Sequence, residues 1–325
     1  MSRHLRVAVV RGGPNDEYHH SMRVGSTVLD VLTDLGYPCK DIIVSKVGEW
    51  LDGGFVRQPL HALTAVDVVF IAQRGPYAED GTLQRQIARS GVPYTGSPPL
   101  ASAMAYHKGL AKQALRKQGI RFPRHRLVRR SERELLRKQC AEIAEQFGPE
   151  YVLKPARGAS SRGLRHVKRS EDLVEVLEGY LDNDLTLEEV LVEEFIRGRE
   201  ATTALLESFR AEQHYVFPAV EVSTPVESPY HDTESKLSDS IKTTAPGRFS
   251  LRERESLAAA ARTAHEQLGF SQYSRSDFIV RDGDAYFLEI NPLPQLSRRA
   301  LYPEAAAAAG LTYEQLIEHL VQTAR

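Results

Sequence analysis

Length, composition and charge limit the classes of protein to which the chain can belong. With 325 residues it is longer than one small core requires, so two or three packed lobes are expected. Hydrophobic residues make up 42% and charged residues 26%, which excludes a disordered or fibrous chain. The 42 Lys and Arg residues nearly cancel the 43 Asp and Glu residues, so no overall charge favours a nucleic acid or a membrane as partner.

Cysteine content and the N-terminal sequence indicate the compartment. Cys39 and Cys140 are the chain's two cysteines, and they are too far apart in the sequence to form a CxxC metal pair. The apolar run at residues 7–10 is too short for a signal peptide or a membrane span. A cytoplasmic location is therefore expected.

The first part of the chain predicts strands that alternate with helices, which is typical of a doubly wound α/β sheet. Repeated turn residues between 91 and 99 predict a lobe boundary near Pro98. The predicted elements of this part are strands at 5–10 and 68–72 and helices at 21–35 and 82–89.

The middle and last parts predict smaller mixed lobes. A long polar segment at 224–247 exceeds what a compact connection needs, and such loops usually act as lids or binding loops. The predicted helices are 100–118, 132–146, 251–268 and 313–321. The predicted strands are 122–128, 151–154, 164–167, 190–194, 201–207, 214–222, 275–280 and 285–290.

Three oxygen-bearing side chains mark the segment 275–291, which predicts a strand, a tight turn and a returning strand. In an antiparallel pair Asp277 and Glu289 could face one another, and Glu289 shares a face with Asn291 because side chains repeat every two residues. Such a set suits Mg²⁺ that is also bound by nucleotide phosphates. From this segment alone, a solvated hairpin with acids placed by chance stays an open alternative.

A lysine enters a loop of small residues at 154–163. Glycines and small side chains there can present backbone N–H groups to phosphate oxygens, and Lys154 would neutralise phosphate charge. The order of residues is not that of a P-loop, so a flexible turn beside a surface lysine is the alternative.

A strand also runs into a turn at 193–200, as a hinge between two lobes would. Strand-edge backbone and an apolar side chain such as Ile196 can grip an adenine, and Glu200 can hold ribose hydroxyls. Taken alone, this segment is more simply interpreted as an acidic surface turn.

The order of these pieces resembles the D-alanine–D-alanine ligase family of the ATP-grasp superfamily, and the resemblance spans nearly the whole chain. Its motifs in the first half are Gly12-Gly13, Glu17, Ser21, Glu79-Asp80-Gly81-Thr82, Tyr94-Thr95-Gly96-Ser97 and Lys108. Its motifs in the second half are Lys154-Pro155, Ser160-Ser161, Glu193, Glu200, Lys236, Arg275, Asp277, Glu289 and Asn291.

The resemblance implies a three-lobed ATP-grasp fold of α/β class. Residues 1–98 would form a Rossmann-like substrate lobe with a doubly wound parallel sheet, 99–189 a small central lobe, and 190–325 a C-terminal lobe with the metal site and a lid at about 224–247. ATP would lie between the two later lobes. The resemblance also implies Mg²⁺, with Mn²⁺ as an alternative, small amino-acid substrates and a homodimer.

The resemblance further implies roles for individual residues. Glu17 would face the amino group of the first substrate, Ser160 would orient the site, Arg275 would stabilise developing charge, and Lys236 in the polar loop would reach the transferred phosphate. Nucleotide would be held by Lys108, Lys154, Ser161, Glu193, Ile196 and Glu200. Metal would be held by Asp277, Glu289 and Asn291.

Departures from the family pattern fall on the substrate side. Gln295 and Ala300 replace a glycine and a serine that normally receive the carboxylate of the second substrate, and Arg298 or Arg299 is a hypothetical anion clamp there. Three further positions differ from the residues usual in the family. These are Arg74 in place of a histidine, Arg162 in place of a small apolar residue, and Leu237 in place of a tyrosine.

The function that follows is ATP-dependent joining of two D-alanine molecules through an acyl-phosphate, with ADP and phosphate as products and a cell-wall peptidoglycan precursor as the result. Basic side chains and metal would stabilise the phosphoryl transfer. Two alternatives stay open. One is a ligase with another amino acid or a hydroxy acid as acceptor, and the other is a nucleotide-binding homologue without ligase activity.

Overall fold

The computed structural model describes residues 5–158, 163–223 and 242–325. Within these ranges the strands form three sheets of five, six and four strands. None of the helices in these ranges is long and apolar enough to cross a membrane.

The first sheet has the order β4-β3-β2-β1-β5. Strand β1 (Val7–Gly12) pairs in parallel with β2 (Cys39–Val44) and β5 (Val68–Ile71), which confirms the predicted parallel sheet. Residues 7–10 are fully buried because a parallel strand is covered on both faces. The sequence did not predict the antiparallel edge hairpin of β3 (Trp50–Asp52) and β4 (Phe55–Arg57).

Helices cover this sheet and lead away from it. The C-terminal helix α11 packs against α1 and β5, so the two ends of the chain share one core. The helices of the first part are α1 (Tyr18–Asp34), α2 (Pro59–Ala62), α3 (Pro76–Glu79) and α4 (Thr82–Ala88). The last two helices of the chain are α10 (Leu301–Ala308) and α11 (Tyr313–Gln322).

The predicted single helix at 100–118 is wrong, because it is broken at His107. Helix α5 (Pro99–Tyr106) ends there and α6 (Lys108–Leu115) begins. His107 has extended backbone, φ −104° and ψ 96°, and its ring accepts a hydrogen bond from the N–H of Leu110 as the N-cap of α6. The backbone of His107 also bridges to Arg157, so pairing with the loop after β7 competes with a continuous helix.

The second sheet has the order β6-β9-β7-β8 and is antiparallel throughout. Helices α7 (Leu136–Phe147) and α8 (Leu173–Asn183) pack against each other, and their apolar residues share one core with the strands. The predicted helix at 132–146 starts later than expected, because residues Arg130–Leu135 form a 3₁₀ turn. The strands are β6 (His125–Arg129), β7 (Tyr151–Pro155), β8 (Arg165–Val167) and β9 (Glu189–Glu194).

The third sheet has the order β13-β12-β10-β14-β15, with β11 also paired to β10, and α9 (Leu251–Gln267) packs across it. The predicted strand at 214–222 is wrong as one element. It divides into two strands at Phe217 and Pro218, where proline has no N–H for the ladder. The strands are β10 (Arg199–Phe209), β11 (Glu212–Val216), β12 (Val220–Ser223), β13 (Lys242–Thr244), β14 (Tyr273–Arg281) and β15 (Asp284–Asn291).

Candidate active site

A β-hairpin of β14 and β15 brings the candidate metal ligands together. Its two-residue turn has Asp282 at φ 53° and Gly283 at φ 83°, the left-handed conformations that an Asp-Gly hairpin turn requires. This turn sets the register, in which Asp277 lies opposite Glu289 and Arg275 lies opposite Asn291. The predicted facing of Asp277 and Glu289 is confirmed.

Asp277 is held by two neighbours on the sheet. Arg275 donates to both of its carboxylate oxygens, at 3.0 and 2.7 Å, and the Thr202 hydroxyl donates to Oδ1 at 2.7 Å. Burial alone would lower the pKa of Arg275, but the attraction of Asp277 and Glu289 raises it above its ordinary value. The guanidinium is therefore a permanent positive charge next to the carboxylate pair.

Glu289 and Asn291 lie one strand away on the same face. Glu289 Oε2 is 3.5 Å from the Lys108 ammonium, and a quarter of the Glu289 side chain is exposed. Asn291 Oδ1 accepts the N–H of Leu293 at 2.8 Å, which fixes the amide and leaves one lone pair of that oxygen. The three side chains thus form an oxygen-rich donor set of the kind that Mg²⁺ prefers.

A buried carboxylate links two lysines beside this hairpin. Glu193 on β9 is 2.9 Å from Lys112 on α6 and 2.7 Å from Lys154 on β7. Burial alone would raise the pKa of Glu193, but the two ammonium groups outweigh it and lower the pKa to about 2. Burial lowers the pKa of Lys112 to about 8, and its ammonium also donates to the Phe287 carbonyl at 3.0 Å.

Sequence reasoning missed Lys112. The signal was its position on α6, where the buried stripe is Lys108, Ala111, Lys112 and Leu115. Two lysines at i and i+4 on the apolar face of a helix indicate buried ammonium groups that need partners, because an unpaired buried charge is very costly.

The loop after β7 is tied to the start of α6. The Lys108 ammonium donates to the Gly158 carbonyl, and the Lys108 N–H donates to the Ala156 carbonyl at 2.8 Å. The Gly158 N–H in turn donates to the Tyr106 carbonyl at 3.1 Å. The candidate phosphate loop therefore begins directly beside Lys108 and Glu289.

A small pocket, open to solvent, lies where these parts meet. Its Glu79 is 2% exposed, receives the Gly75 N–H at 3.0 Å and lies 3.8 Å from Arg74. Burial raises the pKa of Glu79, and Arg74 opposes that rise. The residues that line the pocket are Glu79, Ala105, Tyr106, Gly158, Glu289, Ile290, Asn291 and Pro292.

The connection between the second and third sheets carries the candidate adenine-binding residues. It runs from the end of β9 at Glu194 to the start of β10 at Arg199. Ile196 in this connection is 6% exposed, and Glu200 lies on β10 between Val222 and Ile279 of the neighbouring strands.

Comparison with known proteins decides the family. Residues 114–322 match the family model for the D-ala D-ala ligase C-terminus. The D-alanine–D-alanine ligase of Geobacter sulfurreducens is 35% identical over 322 residues, covering 98% of this chain and 94% of that protein. That of Desulforudis audaxviator is 35% identical, covering 98% of each. The chain belongs to the D-alanine–D-alanine ligase family.

Solved structures of the family share the fold. VanG D-Ala:D-Ser ligase from Enterococcus faecalis superposes with a TM-score of 0.84 at 25% identity, covering 99% of each chain. The D-alanine–D-alanine ligase of Bacillus anthracis complexed with ATP has a TM-score of 0.78 at 24% identity, covering 98% of this chain and 97% of that one. The expected three-lobed ATP-grasp fold class is therefore correct.

Two of the positions that depart from the family pattern, Arg74 and Gln295, are in contact with each other. Gln295 accepts a hydrogen bond from Arg74 at 3.1 Å, and its amide nitrogen is 2.8 Å from His20 Nε2 and 3.0 Å from Ser297 Oγ. Gln295, which stands in place of a glycine, is thus hydrogen-bonded to Arg74, which stands in place of a histidine. Sequence reasoning treated these as two separate changes.

The remaining substrate-side residues have different surroundings. Arg298 and Arg299 are both exposed, and Arg298 pairs with Glu314 at 2.7 Å and lies over the Tyr313 ring. Ala300 is the N-cap residue of α10. Glu17 lies at the N-terminal end of α1, where its N–H donates to Asn15 Oδ1 at 2.8 Å. Five named positions lie outside the described residues: Ser160, Ser161, Arg162, Lys236 and Leu237.

Proposed function

We propose that this protein joins two D-alanine molecules in an ATP-dependent, ADP-forming reaction and so supplies a dipeptide for peptidoglycan synthesis. One observation carries the proposal: Asp277 lies opposite Glu289 on paired strands, and Glu289, which lines the pocket, is 3.5 Å from the Lys108 ammonium. Family membership along 98% of the chain supports the same activity. The names of these relatives favour D-alanine as acceptor over another amino acid or a hydroxy acid.

Metal and nucleotide would meet at the hairpin. Asp277, Glu289 and Asn291 would hold Mg²⁺, with Mn²⁺ as the alternative ion, since their oxygens share one face of two paired strands. When bound, the ion would neutralise phosphate charge and polarise the transferred phosphoryl group. The nucleotide would be held by Lys108, Lys154, Ser161, Glu193, Ile196 and Glu200.

The lysines suit this role because their surroundings hold them in place. Lys154 is bound to Glu193, and Lys108 is bound between Glu289 and the Gly158 carbonyl. Positive charge that is already in place costs no reorganisation when negative charge develops on the phosphoryl oxygens. Glu193, at 2% exposure, contributes by holding Lys154 and Lys112.

The reaction would proceed in two steps. A carboxylate oxygen of the first D-alanine attacks the terminal phosphorus of ATP and ADP leaves, which gives an acyl-phosphate. The amine of the second D-alanine then attacks the carbonyl carbon, the peptide bond forms and phosphate leaves. Arg275 would stabilise charge in both steps, Glu17 would bind the first amino group, and exclusion of water would protect the intermediate.

The second substrate would be bound by residues at positions that differ from the family pattern. Gln295, Ala300 and Arg299 lie on the segment that follows Asn291. Gln295 and Arg74 present an amide and a guanidinium side by side, which is a combination suited to a carboxylate.

The proposed lobes are 1–98 for substrates, 99–189 as the central lobe and 190–325 as the C-terminal lobe.

The activity is tested by incubating the full chain with ATP, Mg²⁺ and single amino or hydroxy acids, with products followed by mass spectrometry. D-alanine alone is expected to give D-alanyl-D-alanine with one ADP and one phosphate for each dipeptide. A product only with D-alanine plus D-serine or D-lactate would assign another acceptor. ATP binding without turnover on any substrate would assign a non-catalytic homologue and contradict the proposal.

A further inference from the structure

A second cluster of metal-binding side chains lies at the far end of the third sheet from the candidate active site. Glu207 on β10, His214 on β11 and His265 on α9 each offer a ligand atom, and these atoms lie within 4.8 Å of one another. Glu207 is five residues beyond Thr202, the partner of Asp277. At about 3.3 Å per strand residue, that places the cluster roughly 17 Å along the strand.

Both imidazoles direct one nitrogen to the same carboxylate oxygen. His265 Nε2 is 3.1 Å from Glu207 Oε1, and His214 Nε2 is 3.7 Å from it. Ligands about 2.0–2.1 Å from a tetrahedral ion are about 3.3 Å apart, so these separations suit a zinc-sized ion with small side-chain movements.

The other nitrogen of each imidazole is already bound. His214 Nδ1 is 2.8 Å from the Glu266 carboxylate, and His265 Nδ1 is 2.8 Å from Ser274 Oγ. Metal-ligating histidines usually have such partners, which fix the ring and the tautomer.

The carboxylate of Glu207 supplies the third ligand. Glu207 is 4% exposed, and its Oε2 is buried without a hydrogen bond in the described structure, although the Arg325 guanidinium approaches to 3.0 Å. The Glu207 N–H donates to the Gln272 carbonyl at 2.7 Å, so the main chain at this ligand is fixed. Arg325 is the cation with which a metal ion would compete.

We propose that Glu207, His214 and His265 form a binding site for one divalent transition-metal ion of the zinc class. Two imidazoles and one carboxylate are a zinc-binding set that leaves a further position for water. The ion would link β10, β11 and α9 and so stabilise the third sheet. Its binding is independent of nucleotide and of the proposed ligase reaction.

The test uses the full chain, stripped of metal with a chelator, without nucleotide. Titration with Zn²⁺ in a calorimeter is expected to give one site per chain, and Co²⁺ is expected to give the visible absorption of a four- or five-coordinate ion. His214→Gln, which changes a half-buried side chain, should weaken binding at least about 100-fold, and Glu266→Gln about tenfold through the lost ring partner.

Two matched variants separate this site from others. His166→Gln removes a histidine that also pairs with a glutamate, Glu150 at 3.3 Å, and should leave binding unchanged. Glu289→Gln should also leave it unchanged, because that side chain belongs to the other site. Absence of a Co²⁺ spectrum, or binding lost in Glu289→Gln but kept in His214→Gln, would overturn the proposal.

Discussion

Lys112 and Lys154 depend on one buried carboxylate. The Lys112 side chain is fully buried and that of Glu193 is 3% exposed, so each charge in this group is stable only with its partner in place. The same group fixes Lys154 beside the candidate phosphate loop. The lysine that we propose to bind nucleotide is therefore also a member of this buried ion cluster.

Glu193→Gln is expected to destabilise the fold strongly. It leaves two buried ammonium groups with a neutral amide, and the expected cost at neutral pH is about 3 kcal/mol in the free energy of unfolding. Urea unfolding followed by circular dichroism measures the change. Asp182→Asn breaks an exposed ion pair with Arg133 and serves as the control, for which little change is expected.

The pH dependence of the stability that Glu193 contributes follows from the direction of its pKa shift. Glu193 has its pKa lowered from 4.5 to about 2, so its contribution is present above pH 4.5 and is lost as the pH falls toward 2. The difference between the wild-type protein and Glu193→Gln should shrink over that range. A difference that stays constant between pH 7 and pH 3 would show that this carboxylate is not the charged partner of the lysines.

At the level of elements, the hairpin of β14 and β15 was predictable because its signals are local. Alternating side chains and an Asp-Gly turn fix both the strands and the register, so the facing of Asp277 and Glu289 followed from the sequence. The break at His107 was not predictable, since it depends on pairing with Arg157 fifty residues later. The Lys112 partner Glu193 was hidden for the same reason.

Gly283→Ala tests how strongly the turn fixes this hairpin. Gly283 has φ 83°, and an alanine in that conformation is expected to cost about 1 kcal/mol of stability. The nearest atoms that its Cβ would meet, at 3.0–3.2 Å, belong to the flexible Arg252 side chain, so the cost is mainly conformational. Gly179→Ala in helix α8, where a Cβ meets nothing within 4 Å, should instead stabilise the protein. Equal effects of the two changes on the thermal unfolding temperature would contradict this account of the turn.

At the scale of the whole molecule, the first and third sheets share a core, and segments from different parts of the chain meet at one pocket. The chain ends share the first core, whereas the second sheet has its own. The family resemblance predicted this arrangement because its motifs recur in order along the chain. It did not predict the hydrogen bond between Arg74 and Gln295, because contacts between positions far apart in sequence depend on how the lobes pack.

The first sheet also offers a surface for the homodimer that the family resemblance implies. Phe55 and Val56 on the edge strand β4 are 69% and 59% exposed, which is more apolar exposure than an edge strand usually tolerates. Phe55→Asp is expected to convert a dimer to a monomer in light scattering. Leu185→Asp, which changes an equally exposed leucine near the second sheet, should leave the dimer intact. A dimer that survives Phe55→Asp would place the interface elsewhere.

We propose that carboxylates on paired strands hold the metal nucleotide that activates D-alanine. The most direct test is the turnover number of Glu289→Gln with ATP, Mg²⁺ and D-alanine. The unfolding temperature of the variant is measured as well. Glu255→Gln, on the exposed face of α9, is the control. The account predicts a loss of about 10²–10³-fold or more in Glu289→Gln at an unchanged unfolding temperature, and full activity in Glu255→Gln. Full turnover in a folded Glu289→Gln protein would contradict it.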